Sequence, residues 1–142
     1  YVSDLGSRCI WRVDASARGL TAGGKGCRSS FSGLPGYPGA LALDTDGTLL
    51  IGYRWARSGW LENHADNTLL RGIALRLSQT MQENLFSLPA ESIRAEAVSP
   101  ASETWLWAVS GSPQGGSTAL CPDGNRVFFG ITGQKALYCA KV

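Results

Sequence analysis

The 142-residue sequence is poor in the residues on which metal sites and many enzymes depend. It contains one histidine, one methionine and four cysteines, and no two cysteines have C-x-x-C spacing. A histidine-rich metal cluster is therefore excluded, and a zinc ribbon or a thioredoxin-like site is disfavoured. No G-x-S-x-G motif accompanies His64, so the sequence provides no Ser-His-Asp hydrolase pattern. We predict that His64 lies in a solvated loop.

The charge and hydropathy of the sequence argue against two further classes of protein, those that bind nucleic acid and those that span a membrane. The chain has 13 Lys and Arg against 11 Asp and Glu, without a basic tract of the kind that follows nucleic-acid phosphates. The densest basic group is predicted to form a solvated face, and it consists of Arg54, Arg57, Arg71 and Arg76. No apolar run approaches the roughly 18 residues of a membrane helix, so no membrane span is predicted.

The glycine-rich segment 19–26 comes close to a phosphate-binding loop but departs from it. Gly26 stands where a Ser or Thr hydroxyl must reach magnesium, and no helix is predicted to follow. The segment is therefore interpreted as a flexible connector.

The clearest positive signal is a hairpin pattern in residues 34–52. Tyr37-Pro38 favours an extended bend, Leu41 and Leu43 point to one face, and Asp46-Gly47 provides a turn before the apolar return strand 49–51. The same pattern recurs in residues 117–130, which indicates a repeat architecture.

The remaining elements are predicted from shorter patterns. Leu69, Ile73 and Leu77 have helical spacing, so a short amphipathic helix is expected to lie on the sheets. Trp105 and Trp107 are expected on one face of a strand. The other predictions are a strand at 9–13, loops at 15–32 and 55–68, and hairpins pairing 93–98 with 104–109 and 126–131 with 135–141.

Four segments together resemble a known family. They are Tyr1-Val2-Ser3-Asp4, Ile10-Trp11-Arg12-Val13-Asp14, Leu34-Pro35-Gly36-Tyr37-Pro38 and Asp46-Gly47-Thr48-Leu49-Leu50-Ile51-Gly52. The chain resembles the strictosidine synthase-like branch of the gluconolactonase and regucalcin superfamily, within it the adipocyte plasma membrane-associated protein type. The resemblance implies an all-β fold: about three blades of a calcium-associated six-bladed β-propeller, with segments near 1–35, 36–92 and 93–142 and one short helix.

The resemblance also implies where a site belongs. Enzymes of this superfamily hold a divalent cation, Ca²⁺, on the propeller axis with Glu, Asn and Asp oxygens, but Gly39 and Ala40 occupy the matching ligand position here. The acid-base glutamate of strictosidine synthases corresponds to Cys121, so a Pictet-Spengler reaction is excluded. We assign no catalytic residue and no metal ligand, and take Tyr37, Pro38 and Cys121 as candidate residues of the axial pocket.

The aspartates have structural explanations. Asp44, Asp46 and Asp123 stand in or beside predicted turns. Asp4 and Asp14 follow strand ends, where their carboxylates are expected to accept hydrogen bonds from exposed backbone N–H groups.

The four cysteines allow three pairings. In a secreted or periplasmic protein, a disulfide between Cys9 and Cys27 would hold the loop 15–26 to its own strand. Cys121 and Cys139 lie on strands that need not be adjacent. Four free thiols in a reducing compartment are the alternative.

Two functional hypotheses follow. The first is a metal-dependent lactone or ester hydrolase with a degenerate site. The second is a non-catalytic propeller module for binding or assembly, because unclosed blades leave unpaired strand edges and apolar faces. The sequence begins at Tyr1 inside a predicted strand, so we expect the remainder of the propeller, or a second copy, to be the partner. A small-molecule ligand is compatible with either hypothesis.

Overall fold

The computed structural model of the chain describes residues 1–86, 93–111, 115–131 and 133–142. These residues form three antiparallel sheets, each a meander in which strands that follow one another in sequence are hydrogen-bonded neighbours. A group of short helices separates the two halves of the second sheet. The prediction of a mostly β fold is thus confirmed.

The first sheet contains three strands, β1 (Val2–Asp4), β2 (Cys9–Val13) and β3 (Cys27–Phe31). The third of these lies inside the segment predicted as a loop. Its sequence Cys-Arg-Ser-Ser-Phe lacks apolar alternation, yet Phe31 is buried opposite Ile10 and fixes the strand to the core.

The second sheet has the order β4 (Gly36–Leu43), β5 (Leu49–Ala56), β6 (Ile93–Ser99) and β7 (Thr104–Gly111). The predicted hairpin of β4 and β5 is confirmed. Gly47 turns the chain with φ 87°, a left-handed conformation that suits glycine, and its N–H donates to the Asp44 carbonyl at 3.0 Å. Leu49, Leu50 and Ile51 form the buried return strand as predicted.

Three helices connect β5 to β6: α1 (Gly59–Asn63), α2 (Thr68–Ala74) and α3 (Gln79–Phe86). Helix α2 confirms the predicted helix, whereas α1 lies within a predicted loop. The expectation that the apolar face of the helix packs on the sheets is wrong, because Leu69, Leu70 and Ile73 are exposed and only Ala74 of α2 is buried. Among the described residues, no helix combines the length and the apolar composition that a membrane crossing requires.

The third sheet contains β8 (Ser117–Asp123), β9 (Arg126–Ile131) and β10 (Tyr138–Lys141), in the order β10-β9-β8. It confirms the second predicted hairpin and its pairing with residues near 138–141. The sheet begins at Ser117 rather than at residue 93, because β6 and β7 pair with β5 and belong to the second sheet.

Two apolar cores lie on opposite faces of the second sheet. The first core, against the first sheet, contains Ile10, Phe31, Leu34, Leu49, Ile51, Tyr53 and Val98. The second core, against the third sheet, contains Leu50, Ala95, Val127, Phe129 and Ile131. Alternate residues of β5 therefore pack into opposite cores, because successive side chains of a strand point to opposite faces of the sheet.

The prediction that Trp105 and Trp107 share a face is wrong. Trp105 contacts Phe31 of the first core, with ring centroids 5.6 Å apart, whereas Trp107 packs against the second core. The cause is a register shift between Ala97 and Val98, which places an extra residue in β7 and reverses the alternation.

One packing arrangement is used twice. The first strand of the first sheet, β1, lies against β4, which is the first strand of the second sheet. In the same way β4 lies against β8, the first strand of the third sheet, and β5 also contacts β8 at this second junction. At the first junction the Ser3 hydroxyl donates to the Gly39 carbonyl at 3.2 Å. At the second, a Cβ added to Gly52 would lie 2.9 Å from the Ser117 Cβ, so this close approach requires glycine.

Each end of this stack carries a sheet face that no other described sheet covers. The outer face of the first sheet carries Val2, Trp11, Val13 and Cys27, which line a shallow apolar hollow with Leu20 and Ala22. The outer face of the third sheet carries Ala119, Cys121, Phe128 and Cys139. On the third sheet, Cys121 and Cys139 both lie opposite Phe128 and are exposed.

Candidate functional site

A cavity of about 280 Å³ lies where the turn between β1 and β2 meets the start of β4, the end of β5 and helices α1 and α2. The ends of the first and second sheets and the helical layer thus converge on one hollow. The wall residues that determine its chemistry are Ser7, Arg8, Tyr37, Trp55, Glu62 and Arg71.

The turn that forms one wall is held by Asp4. The Asp4 carboxylate accepts hydrogen bonds from the Ser7 backbone N–H and the Trp11 indole Nε1, each at 3.1 Å. Burial raises the pKa of Asp4, but these hydrogen bonds outweigh it, so the pKa lies below its ordinary value. The predicted role of Asp4 in accepting backbone N–H groups is confirmed, as is that of Asp14, which binds the Ser16 N–H at 2.9 Å.

Arg8 completes the turn with φ 48°, a left-handed conformation that is uncommon outside glycine. Its guanidinium Nη1 donates to the Leu34 carbonyl at 3.0 Å, and its Nε lies 3.3 Å from Oε1 of Glu62. Arg8 therefore connects the first sheet to helix α1 across the cavity.

Glu62 already has a second, closer cation. The Arg57 Nε donates to Glu62 Oε1 at 2.9 Å and to Oε2 at 3.2 Å. The hydrogen bonds from Arg57 and the nearby charge of Arg8 hold the pKa of Glu62 below its usual range, and the same pair raises the pKa of Arg57. The carboxylate is consequently ionised and its charge is matched by Arg57.

Arg71 enters the cavity from helix α2. Its Nη1 donates to the Ala65 carbonyl at 3.0 Å, and the side chain is exposed. Together Arg8 and Arg71 give the wall more positive than negative charge.

The aromatic wall is fixed to the helical layer through Ser58. The Tyr37 hydroxyl accepts a hydrogen bond from the Ser58 backbone N–H at 3.3 Å. The Ser58 hydroxyl accepts from the Leu61 N–H at 3.3 Å and donates to the Leu85 carbonyl at 2.9 Å. Ser58 is buried, so this contact ties the start of α1 and the end of α3 to β4.

The three candidate pocket residues do not come together. Tyr37 lines the cavity, and Pro38 is buried in β4 beside it. Cys121 lies on the outer face of the third sheet, where its thiol contacts the Pro122 carbonyl at 3.8 Å. The structure therefore gives Cys121 no place in this cavity.

The position at which the resemblance implies a metal ligand lies in a sheet junction. A Cβ added to Gly39 would lie 3.0 Å from the Arg54 Cβ and 3.4 Å from the Ser117 carbonyl oxygen, and Ala40 follows it in β4. Within the described ranges, no group of three or more His, Cys, Asp or Glu side chains is placed to hold a metal ion. Gly39 and Ala40 thus offer no side-chain oxygen to a Ca²⁺ ion at this position.

The other aspartates serve local structure. The Asp46 carboxylate accepts the Thr48 N–H at 2.8 Å, the Asp44 carboxylate binds the Thr45 N–H, and Asp123 pairs with Arg126. His64 ends helix α1, with its Nδ1 2.8 Å from the Trp60 carbonyl and its ring stacked on Trp60.

All four cysteines are free. Cys27 pairs with Val13 at one end of the β2–β3 hairpin, whereas Cys9 is at the other end of β2, about 13 Å along the strand. That separation exceeds the reach of a disulfide. The loop 15–26 is closed instead by the Asp14 N–H, which donates to the Gly26 carbonyl at 2.7 Å. The secreted or periplasmic setting stays a prediction.

Sequence reasoning missed the contact that defines the cavity. The arginines at 57 and 71 were predicted to form a solvated face, and Arg8 and Glu62 carried no signal, because their contact joins distant parts of the chain. Fold and cavity together define a mostly β protein of three meander sheets with a cationic, aromatic hollow. No known protein family, curated protein or solved structure matches the chain.

Proposed function

We propose that the chain forms three neighbouring blades of a six-bladed β-propeller of the strictosidine synthase-like, gluconolactonase-like type. In this proposal it acts as a non-catalytic module for binding and assembly, and a second copy completes the ring. The observation that carries the proposal is the repeated sheet junction, first strand against first strand, with β1 against β4 and β4 against β8. Propellers arise when one meander sheet packs on the next in this repeated way.

The open faces support completion by further sheets. The outer faces of the first and third sheets carry apolar side chains, and among the described residues β10 is an edge strand that pairs on one side only. Unpaired edges and uncovered apolar faces favour association with other β-sheets.

The two open faces lie at opposite ends of one stack, which favours a second copy as the partner. In a ring, the last sheet of one copy meets the first sheet of the next. Three sheets make half of a six-bladed ring, so two copies related by a two-fold axis close it without leaving a free end.

The test is the mass in solution, measured by size-exclusion chromatography with light scattering. We expect the chain to run at twice its 15.1 kDa and Phe128→Asp to run at 15.1 kDa, because the new carboxylate lies on the outer face of the third sheet. Cys139→Asp, at an exposed position of the same face, is a second variant should Phe128→Asp fail to fold.

The matched control is Leu69→Asp, which places the same charge on an exposed leucine of helix α2. It should leave the dimer intact. A wild-type chain that remains monomeric at all concentrations, or a dimer that only Leu69→Asp disrupts, would refute assembly through the outer faces.

The metal-dependent lactone or ester hydrolase implied by the resemblance is the competing hypothesis. The packing around Gly39 disfavours it, because a side chain there would begin with its Cβ only 3.0 Å from the Arg54 Cβ. The test is hydrolysis of a γ-lactone or a phenyl ester by the chain in the presence of calcium. Activity that is lost when calcium is chelated would favour the hydrolase over the non-catalytic module.

A further inference from the structure

We propose that the cavity between the first sheet and helices α1 and α2 is a binding site for a small organic anion with a planar apolar body. This site lies within one chain and uses neither outer face, so the inference goes beyond the proposed assembly and does not depend on it.

The charge of the wall favours an anion over a cation. Glu62 is the one carboxylate among the wall residues that the structure describes, and Arg57 binds both of its oxygens from one side. Its charge is therefore unavailable to a cationic ligand. The guanidinium groups of Arg8 and Arg71 remain as the excess charge on the wall.

Both guanidinium groups retain hydrogen-bonding capacity. Each has five N–H donors. In the described part of the chain, Arg8 donates to the Leu34 carbonyl and has its Nε near Glu62, while Arg71 donates to the Ala65 carbonyl. The remaining donors match the planar, two-oxygen geometry of a carboxylate and also suit a phosphate monoester.

The rest of the wall suits an apolar body. Tyr37 and Trp55 provide aromatic surface and Leu61 provides aliphatic surface. Tyr37 is held in place by its hydrogen bond with the Ser58 N–H, so the wall is preformed. A cavity of about 280 Å³ is close to the lower end of the range for small-molecule pockets and suits a single ring.

The backbone of Arg8 provides an independent indication. A non-glycine residue with φ 48° carries a conformational cost, and such residues cluster at ligand-binding positions. The carboxylate of Asp4 fixes this turn through the Ser7 N–H, so the conformation holds Arg8 at the cavity before any ligand arrives.

Titration calorimetry with three isosteric probes tests the site. Benzoate carries a negative charge, benzamide is neutral and benzylamine is positive. We expect benzoate to bind at least about tenfold more tightly than benzamide and benzylamine to show no binding, because charge-assisted hydrogen bonds to guanidinium are the strong ones. Phenyl phosphate is the fourth probe, and its affinity relative to benzoate shows which anion class the site prefers.

The decisive variants are Arg8→Gln and Arg71→Gln, with Arg18→Gln as the matched control. Each of the first two should weaken benzoate binding by roughly 10- to 100-fold. In the part of the chain that the structure describes, Arg18 hydrogen-bonds to the Ser16 and Ala17 carbonyls of its own loop, so its variant should bind as the wild type does. Arg71 is exposed on α2, and its variant keeps the test valid should Arg8→Gln fail to fold.

The inference is overturned if a folded chain binds neither benzoate nor phenyl phosphate at millimolar concentration. It is likewise overturned if benzamide or benzylamine binds as well as benzoate, or if neither arginine variant weakens binding. The monomeric Phe128→Asp variant should retain full affinity, which separates failure of this site from failure of the assembly.

Discussion

At the scale of single residues, the most unusual side chain is the carboxylate of Glu96, which is 6% exposed. It lies opposite Ile51 on the face of the second sheet that forms the first core. Burying a carboxylate is costly unless hydrogen bonds replace its hydration. Here the Tyr53 hydroxyl donates to one oxygen, and the half-exposed Arg94 donates its Nε to the other at 3.1 Å.

This contact predicts alkaline sensitivity. Burial, together with the hydrogen bond to Glu96, raises the pKa of Tyr53 well above its ordinary value near 10. The folded chain therefore keeps a proton that the unfolded chain releases. The stabilisation is complete below pH 10 and is lost as the pH rises above it, by about 1.4 kcal/mol per pH unit.

The check is urea unfolding from pH 8 to 11 for the wild type and Tyr53→Phe. The free energy of unfolding of the wild type should fall more steeply above pH 10 than that of the variant, which has no phenol to titrate. Parallel curves for the two proteins would contradict the assignment. The lysines and the other tyrosines titrate in both proteins, so their contribution to the pH dependence is the same in the two curves.

Single residues show which roles are predictable. The capping by Asp4 and Asp14 follows from the sequence, because each partner lies within a few residues along the chain. The contacts between Arg8 and Glu62 and between Tyr53 and Glu96 join distant segments, and no local pattern marks them. The bulge that separates Trp105 from Trp107 was missed, because periodicity assumes unbroken alternation.

At the scale of elements, the helical layer depends on a few polar contacts. Its apolar side chains Leu69 and Ile73 are exposed, so packing supplies little of its stability. Ser58 caps α1, binds the Leu85 carbonyl of α3 and donates its N–H to Tyr37. Because Ser58 is buried, water cannot replace these partners.

Ser58→Ala should therefore lower the free energy of unfolding by roughly 1–3 kcal/mol and speed amide hydrogen exchange in α1 and α3. The control is Asn67→Ala, which removes the cap of α2 at an exposed position, where the Asn67 side chain accepts the Leu70 N–H at 3.0 Å. It should cost less than about 1 kcal/mol, since water can satisfy the freed N–H. Equal costs for the two variants would contradict the anchoring role of Ser58.

Elements were predictable where periodicity was strong. The hairpin of β4 and β5 follows from alternating apolar residues and an Asp-Gly turn, and α2 follows from its helical spacing. Strand β3 was missed because Arg28, Ser29 and Ser30 are polar, and only Phe31 anchors the strand. Helix α1 was missed because five residues are too few to show a helical period.

At the scale of the whole molecule, the sheets pack in a way that local patterns do not determine. The sequence predicts strands and hairpins, but the assignment of β6 and β7 to the second sheet depends on their pairing with β5 across the helical layer. The repeated junctions rely on Gly39 and Gly52, where close approach of strands replaces a side chain. The close approach of two strands depends on the tertiary structure, so the need for glycine at these positions cannot be predicted from the local sequence.

The most direct measurement is an experimental structure of the chain in its solution assembly. We expect two copies, with the third sheet of each packed through Phe128 on the outer face of the partner's first sheet, and six sheets arranged around one axis. A single copy whose own first and third sheets pack against each other in a closed sandwich or barrel would contradict it.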